Sequence, residues 1–227
     1  MSKDVPLTII LLSRDMLKVV FRFLLSTVIW VSVAHAHPHS WIDVQTTLTL
    51  DADGNLIEIT QLWEFDEVYS RIALETVTKE YENEMLGLEM LAQDMVTNLK
   101  PYKYFSSLQL DKIDIPLSKP VYAKFEPYSE QGKLKLKQIF AFDTPVKLAG
   151  KAITWSVFDP TYYVAMNHHS ADAVNVIANE KTRCAKQFKL PSPTQEDIDY
   201  AASLDQTQRD SDGLGQLFSE RVTIQCN

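Results

Sequence analysis

The histidines are unevenly placed. His35, His37 and His39 lie together near the start of the chain, and His168 and His169 stand side by side further on. Imidazole is the commonest protein ligand for late first-row metals, and it binds them deprotonated. In an extended segment the two-residue period sets His37, His39, Trp41 and Asp43 on a common face. Two imidazoles and a carboxylate at that spacing can approach one ion, and zinc, nickel or cobalt accepts such a nitrogen–oxygen set. Cleavage of a leader after Ala36 gives His37 a free α-amine, so amine and imidazole of one residue can chelate. Pro38 then has no N–H, which blocks the mode that uses the second residue's deprotonated amide. Cleavage after Ala34 instead leaves His35-Ala36-His37, where that mode is open. The competing reading is a flexible terminus with incidental histidines.

His168 and His169 carry a weaker signal. Adjacent strand residues point to opposite faces, so both reach one ion only across a turn, which Asn167 and Ser170 could supply. A surface loop without function is the plainer reading. Trp63-Glu64-Phe65-Asp66-Glu67 and Phe158-Asp159-Pro160-Thr161-Tyr162-Tyr163 combine aromatics with carboxylates. Paired acids can do acid–base work, as in a hydrolase, only with a cleft between them. Cap, turn and core roles account for both segments, and the chain is read as a non-enzyme. It has no phosphate loop, no HExxH, no G-x-S-x-G and no CxxC.

Composition narrows the classes further. The chain has 227 residues, 22 Lys+Arg against 30 Asp+Glu, 45% apolar residues and 10% aromatic. That is enough to bury a full core and too apolar for a disordered chain. The net charge of −8, with no basic block, argues against a nucleic-acid partner. Residues 1–36 read as a secretory signal peptide: Lys18 and Arg22 precede the apolar run Phe23–Val33, and Ala34-His35-Ala36 is a small-x-small cleavage site. The segment Val19–Ala34 is 16 residues, short for a span, and contains Arg22, so no permanent membrane anchor is expected after processing. A start at Met16 would give a leader of ordinary length. The expected location is the periplasm, with 37–227 as a single domain. Cys184 and Cys226, 42 positions apart, make an even pair that an oxidising compartment would join, against an alternative of two free thiols.

The elements that must position these residues follow from periodicity. Ile42, Val44, Thr46, Leu48 and Leu50 share one strand face, Asp51–Asn55 turns the chain, and Leu56–Phe65 returns as a hairpin partner. Asp66 is a helix N-cap with Glu67 in the first turn, opening a helix over 67–82. Leu88, Leu91, Ala92, Met95 and Leu99 recur at helical spacing over 84–99, and Pro101 marks that helix's end. Strands follow around Leu108–Leu110, Val121–Phe125, Leu134–Phe142, Ile153–Val157, Tyr162–Met166 and Ala173–Ile177. Lys133, Lys135 and Lys137 form a row that reads as a solvated or edge face. Thr194 caps a helix over 195–204, Gln206–Gly213 is a polar stretch, Leu214, Leu217 and Phe218 make a short apolar turn, and Arg221–Cys226 is a last strand. The sum is an α+β, antiparallel β-rich domain in β-sandwich form, with a helical insertion and a short C-terminal helix and strand.

Five segments together carry a resemblance. They are His37-Pro38-His39-Ser40-Trp41-Ile42-Asp43, Trp63–Ser70, Asn98–Tyr102, Asp159–Tyr163 and Leu214–Cys226. In that order they resemble a bacterial exported family of unknown function, usually labelled "ABC-type uncharacterised transport system, periplasmic component". The resemblance implies a neighbouring membrane permease of the nickel/cobalt exporter type. It marks His37, His39, Asp43, Asp66, Asp159, Tyr162 and Tyr163 as motif residues, with Trp41 and Glu67 beside them. His168 and His169 lie just past the motifs. The expected function is a periplasmic accessory protein that binds or delivers zinc or nickel/cobalt for an inner-membrane metal permease. The alternative is a non-metal envelope protein whose aromatic–acidic segments dock on a membrane partner.

Overall fold

In the computed structural model the described residues are 38–126, 132–148, 150–204 and 213–227. The expected leader, His37 and the stretch Gln206–Asp212 lie outside them. The first strand, β1 (Ser40–Leu50), buries every second side chain from Ile42 to Leu50, as its alternation requires. Asp51 then accepts the backbone N–H groups of Asp53 and Asn55, and the chain returns in β2 (Leu56–Phe65). Asp66 caps α1 (Glu67–Glu80) by accepting from Tyr69 N. Helix α2 (Glu84–Leu99) follows, with Ala92, Val96 and Leu99 buried. Gly87 makes the crossing of the two helices possible: a Cβ there would lie 2.5 Å from Val77 Cγ1.

The remaining strands are β3 (Ser106–Leu110), β4 (Ile113–Ile115), β5 (Tyr122–Glu126), β6 (Lys135–Val146), β7 (Ala152–Val157), β8 (Val164–Asn167), β9 (Val174–Ile177), β10 (Cys184–Lys189) and β11 (Arg221–Cys226). They form two sheets. The first runs β5-β6-β2-β1-β8, with β9 also on β1, and the second runs β10-β11-β7-β3-β4. Their inner faces share one core. Leu48, Ile59, Trp63 and Phe140 come from the first sheet, and Leu108, Trp155, Val222 and Ile224 from the second. Polar side chains bridge the sheets as well: Gln61 Nε2 donates to Ser106 Oγ (2.7 Å) and Trp155 Nε1 to Thr46 Oγ1 (3.1 Å). The domain is therefore α+β and β-rich. The helical pair is inserted after the first hairpin, and α3 (Gln195–Ser203), α4 (Leu214–Leu217) and β11 close the chain. No helix among the described residues is long and apolar enough to cross a membrane. Cys184 and Cys226 face each other in register on β10 and β11 and are joined by a disulfide.

Several local expectations change. The lysine row is not an edge: β6 lies between β5 and β2, and Lys133 and Lys135 reach Glu64 on the outer face at 3.5 and 2.9 Å. Strand β4 alternates but is only three residues long, and β10 is mostly polar, so periodicity did not mark them. Two short parallel segments flank β1, β8 beside Ser40–Asp43 and β9 beside Thr46–Thr49. The chain leaves β1 between them, over residues 168–173, opposite Val44 and Gln45.

Candidate functional site

That interruption is where the chemistry-bearing residues gather. The pleat of β8 continues into His168 and His169, turning the first ring inward and the second outward. His168 is 4% exposed. Its backbone N–H donates to Glu220 Oε2 at 2.6 Å, and its Nδ1 lies 3.5 Å from the same oxygen. Its Nε2 stands 3.0 Å from Thr46 Oγ1. The Thr46 hydroxyl also accepts the indole N–H of Trp155, so one buried oxygen links the indole to the His168 imidazole. Burial pushes the Glu220 carboxyl upward, but donation from the His168 side chain and backbone, with the charges of His168 and His169, outweighs it and holds the group below its ordinary range. This chain has the residue types of a hydrolytic triad, but Thr46 is only 1% exposed and cannot reach a substrate. Its effect is to fix the loop.

His169 is turned outward by that fixed neighbour and sits at φ 61, in the left-handed region. Its Nε2 is 2.7 Å from Asp43 Oδ1, and both side chains are open to solvent, 65% and 52% exposed. The imidazole beside Asp43 is thus one 126 residues away, while His39 turns elsewhere. The His39 ring packs 4.8 Å from the Tyr163 ring and its backbone N–H donates to Tyr163 O. His37, ahead of it, is outside the described residues. Asp43 and His169 are a pair: among the described residues no group of three or more His, Cys, Asp or Glu is arranged to hold a metal ion.

The other expected residues hold the surroundings. Asp66 accepts from Ser40 Oγ (2.6 Å) and Trp41 N (3.0 Å) besides capping α1, and so ties the start of β1 to the helix. Burial raises its carboxyl, but the donors Ser40, Tyr69 and Trp41 lower it further, below the ordinary aspartate range. Glu67 is exposed in the first turn of α1. Asp159 is buried and takes four donors, Thr161 N and Oγ1 on one oxygen and Tyr163 N and Val164 N on the other. These bonds shape the loop that presents Tyr162, whose ring stacks on Phe218 at 4.2 Å. Gly215 seals that contact: a Cβ there would sit 1.8 Å from the Asp159 carbonyl oxygen. Trp41, Tyr162 and Phe218 border a cleft of about 270 Å³ beside β8.

Thr46 and Glu220 were not singled out from the sequence. Thr46 carried a signal, a lone hydroxyl on an otherwise apolar strand face. Glu220 carried none, because its partner is 52 residues away.

A family model described as "Protein of unknown function (DUF1007)" matches residues 22–226. The chain belongs to this family. Every residue of the β1–loop constellation falls inside the DUF1007 match. An uncharacterised protein of Haemophilus influenzae (strain ATCC 51907 / DSM 11121 / KW20 / Rd) is 30% identical over 202 residues, covering 84% of this chain and 91% of the relative. No solved structure matches the DUF1007 chain described here.

Proposed function

We propose that this protein is a periplasmic accessory protein that binds a transition-metal ion, zinc or nickel/cobalt, as cargo for an inner-membrane permease. The observation that carries the reading is the contact between the Asp43 carboxylate and the His169 imidazole, exposed at the amino end of β1. A nitrogen and an oxygen donor 2.7 Å apart need only a small separation to admit an ion bonded to both at about 2.0–2.2 Å. Cleavage after Ala36 would give His37 a free α-amine, a further nitrogen donor ahead of β1 in the sequence. An open site with few protein donors leaves coordination positions for an acceptor, which suits delivery better than storage. The Glu220–His168–Thr46 chain beneath it acts as outer support, holding the loop and hence the His169 ring. The disulfide fits an oxidising compartment, as export requires.

A second reading rests on the aromatic cleft. Trp41, 52% exposed, with Tyr162 and Phe218, gives a non-metal envelope protein a surface for a membrane partner. Titration calorimetry on the processed chain, with its native amino terminus, separates the two. The metal reading expects one Zn²⁺ or Ni²⁺ per chain, weakened about tenfold or more by Asp43→Ala or His169→Ala. Absence of binding tighter than about 100 μM for these ions would leave the docking reading in its place.

A further inference from the structure

We infer that the outer face of the second sheet is a binding site for a small phosphate-bearing sugar. Register builds it. Gln109 pairs with Thr154, Thr154 with Thr223, and Thr223 with Gln187, so four amide and hydroxyl side chains line up across β3, β7, β11 and β10. One step along, Ser107 pairs with Ser156, and Arg221 pairs with Lys189. Because Val222 pairs with Trp155, Arg221 stands level with Ser156, which completes a second row. At about 4.8 Å between strands, each row spans roughly 14 Å.

The two rows line one concave cleft of about 430 Å³, a volume within the range of small-ligand sites. Lys112 enters it from the β3–β4 hairpin. The turn residues there, Asp111 and Lys112, hold φ 50 and 68, a pair of positions that Asn-Gly fills at least cost. Lys112, Lys189 and Arg221 therefore converge on one cleft in a chain of net charge −8. None of the three has a carboxylate partner among the described residues, and no Asp or Glu lines the cleft. The guanidinium fork matches phosphate oxygens, the hydroxyl and amide rows match sugar hydroxyls, and Phe158 offers an apolar surface to a ring. The outer face of the first sheet is different: its cleft mixes Lys135 and Lys137 with Glu126 and Leu62, so cations are offset there.

The test uses the processed protein and backbone amide NMR, titrated with N-acetylglucosamine 1-phosphate, N-acetylglucosamine or inorganic phosphate. The sugar phosphate should bind saturably, shifting Thr154, Thr223 and Lys189, and about tenfold more tightly than phosphate alone. The double change Lys189→Gln, Arg221→Gln should weaken it about tenfold or more. Thr154→Val with Thr223→Val should remove its advantage over phosphate, with the folded spectrum retained. No saturable binding of the sugar phosphate below about 10 mM, equal binding of phosphate, or shifts confined to other faces would overturn the assignment.

Discussion

Replacing Thr46 with Val removes one hydroxyl at nearly constant shape, and the structure says that it should be costly. Thr46 Oγ1 accepts from Trp155 Nε1 at 3.1 Å and meets His168 Nε2 at 3.0 Å. All three residues are buried, so water cannot take the place of the lost group. The variant leaves an indole N–H and an imidazole nitrogen without partners, at about 1–3 kcal/mol each, and gains roughly 1 kcal/mol from the added methyl. The net loss should be about 1–5 kcal/mol. In a domain of this size that lowers Tm by about 2–20 °C. Urea unfolding followed by tryptophan fluorescence measures it, and Trp155 itself is a reporter. Thr46→Ser keeps the hydroxyl and should lose about 1 kcal/mol or less. A Thr46→Val protein within about 0.5 kcal/mol of the parent would refute the bridging role.

Gly215→Ala should destabilise by at least about 2 kcal/mol, read from thermal melts, because the new Cβ meets the Asp159 backbone carbonyl at 1.8 Å. Asp66→Ala should cost about 1–2 kcal/mol at neutral pH through the lost cap and the lost tie to Ser40. Since the native carboxyl is held low, its contribution is complete above the unfolded value of about 4 and is lost as pH falls through the native one. Parent and variant unfolding curves should therefore converge on acidification. Reducing the Cys184–Cys226 bond, which spans 42 residues, should lower stability by about 2–4 kcal/mol, and intact mass should rise by two hydrogens on reduction.

Local physics made much of this fold legible. The inward face of β1 follows from two-residue alternation. The Asp66 and Thr194 caps follow from side chains that satisfy the first free N–H groups of a helix. What stayed hidden is non-local. Nothing in Val164–Asn167 says that it lies parallel to Ser40–Asp43, and that pairing alone brings His169 to Asp43. The split of His168 and His169 to opposite faces was readable from the pleat. The burial of His168 was not, because Glu220 and Thr46 come from distant segments. The left-handed run Lys103, Tyr104 and Phe105, at φ 54, 56 and 53, breaks the preferences of its own residues and is held by the packing of Tyr104 in the core.

The central claim is that Asp43 and His169 take a metal ion at the end of β1. Its most direct test is imidazole ¹⁵N NMR of the processed protein titrated with Zn²⁺. One equivalent should shift the His169 ring nitrogens, together with the Asp43 carboxylate carbon, and leave the buried His168 ring in place. Zinc that leaves His169 unmoved, or that shifts only His39, would contradict the account.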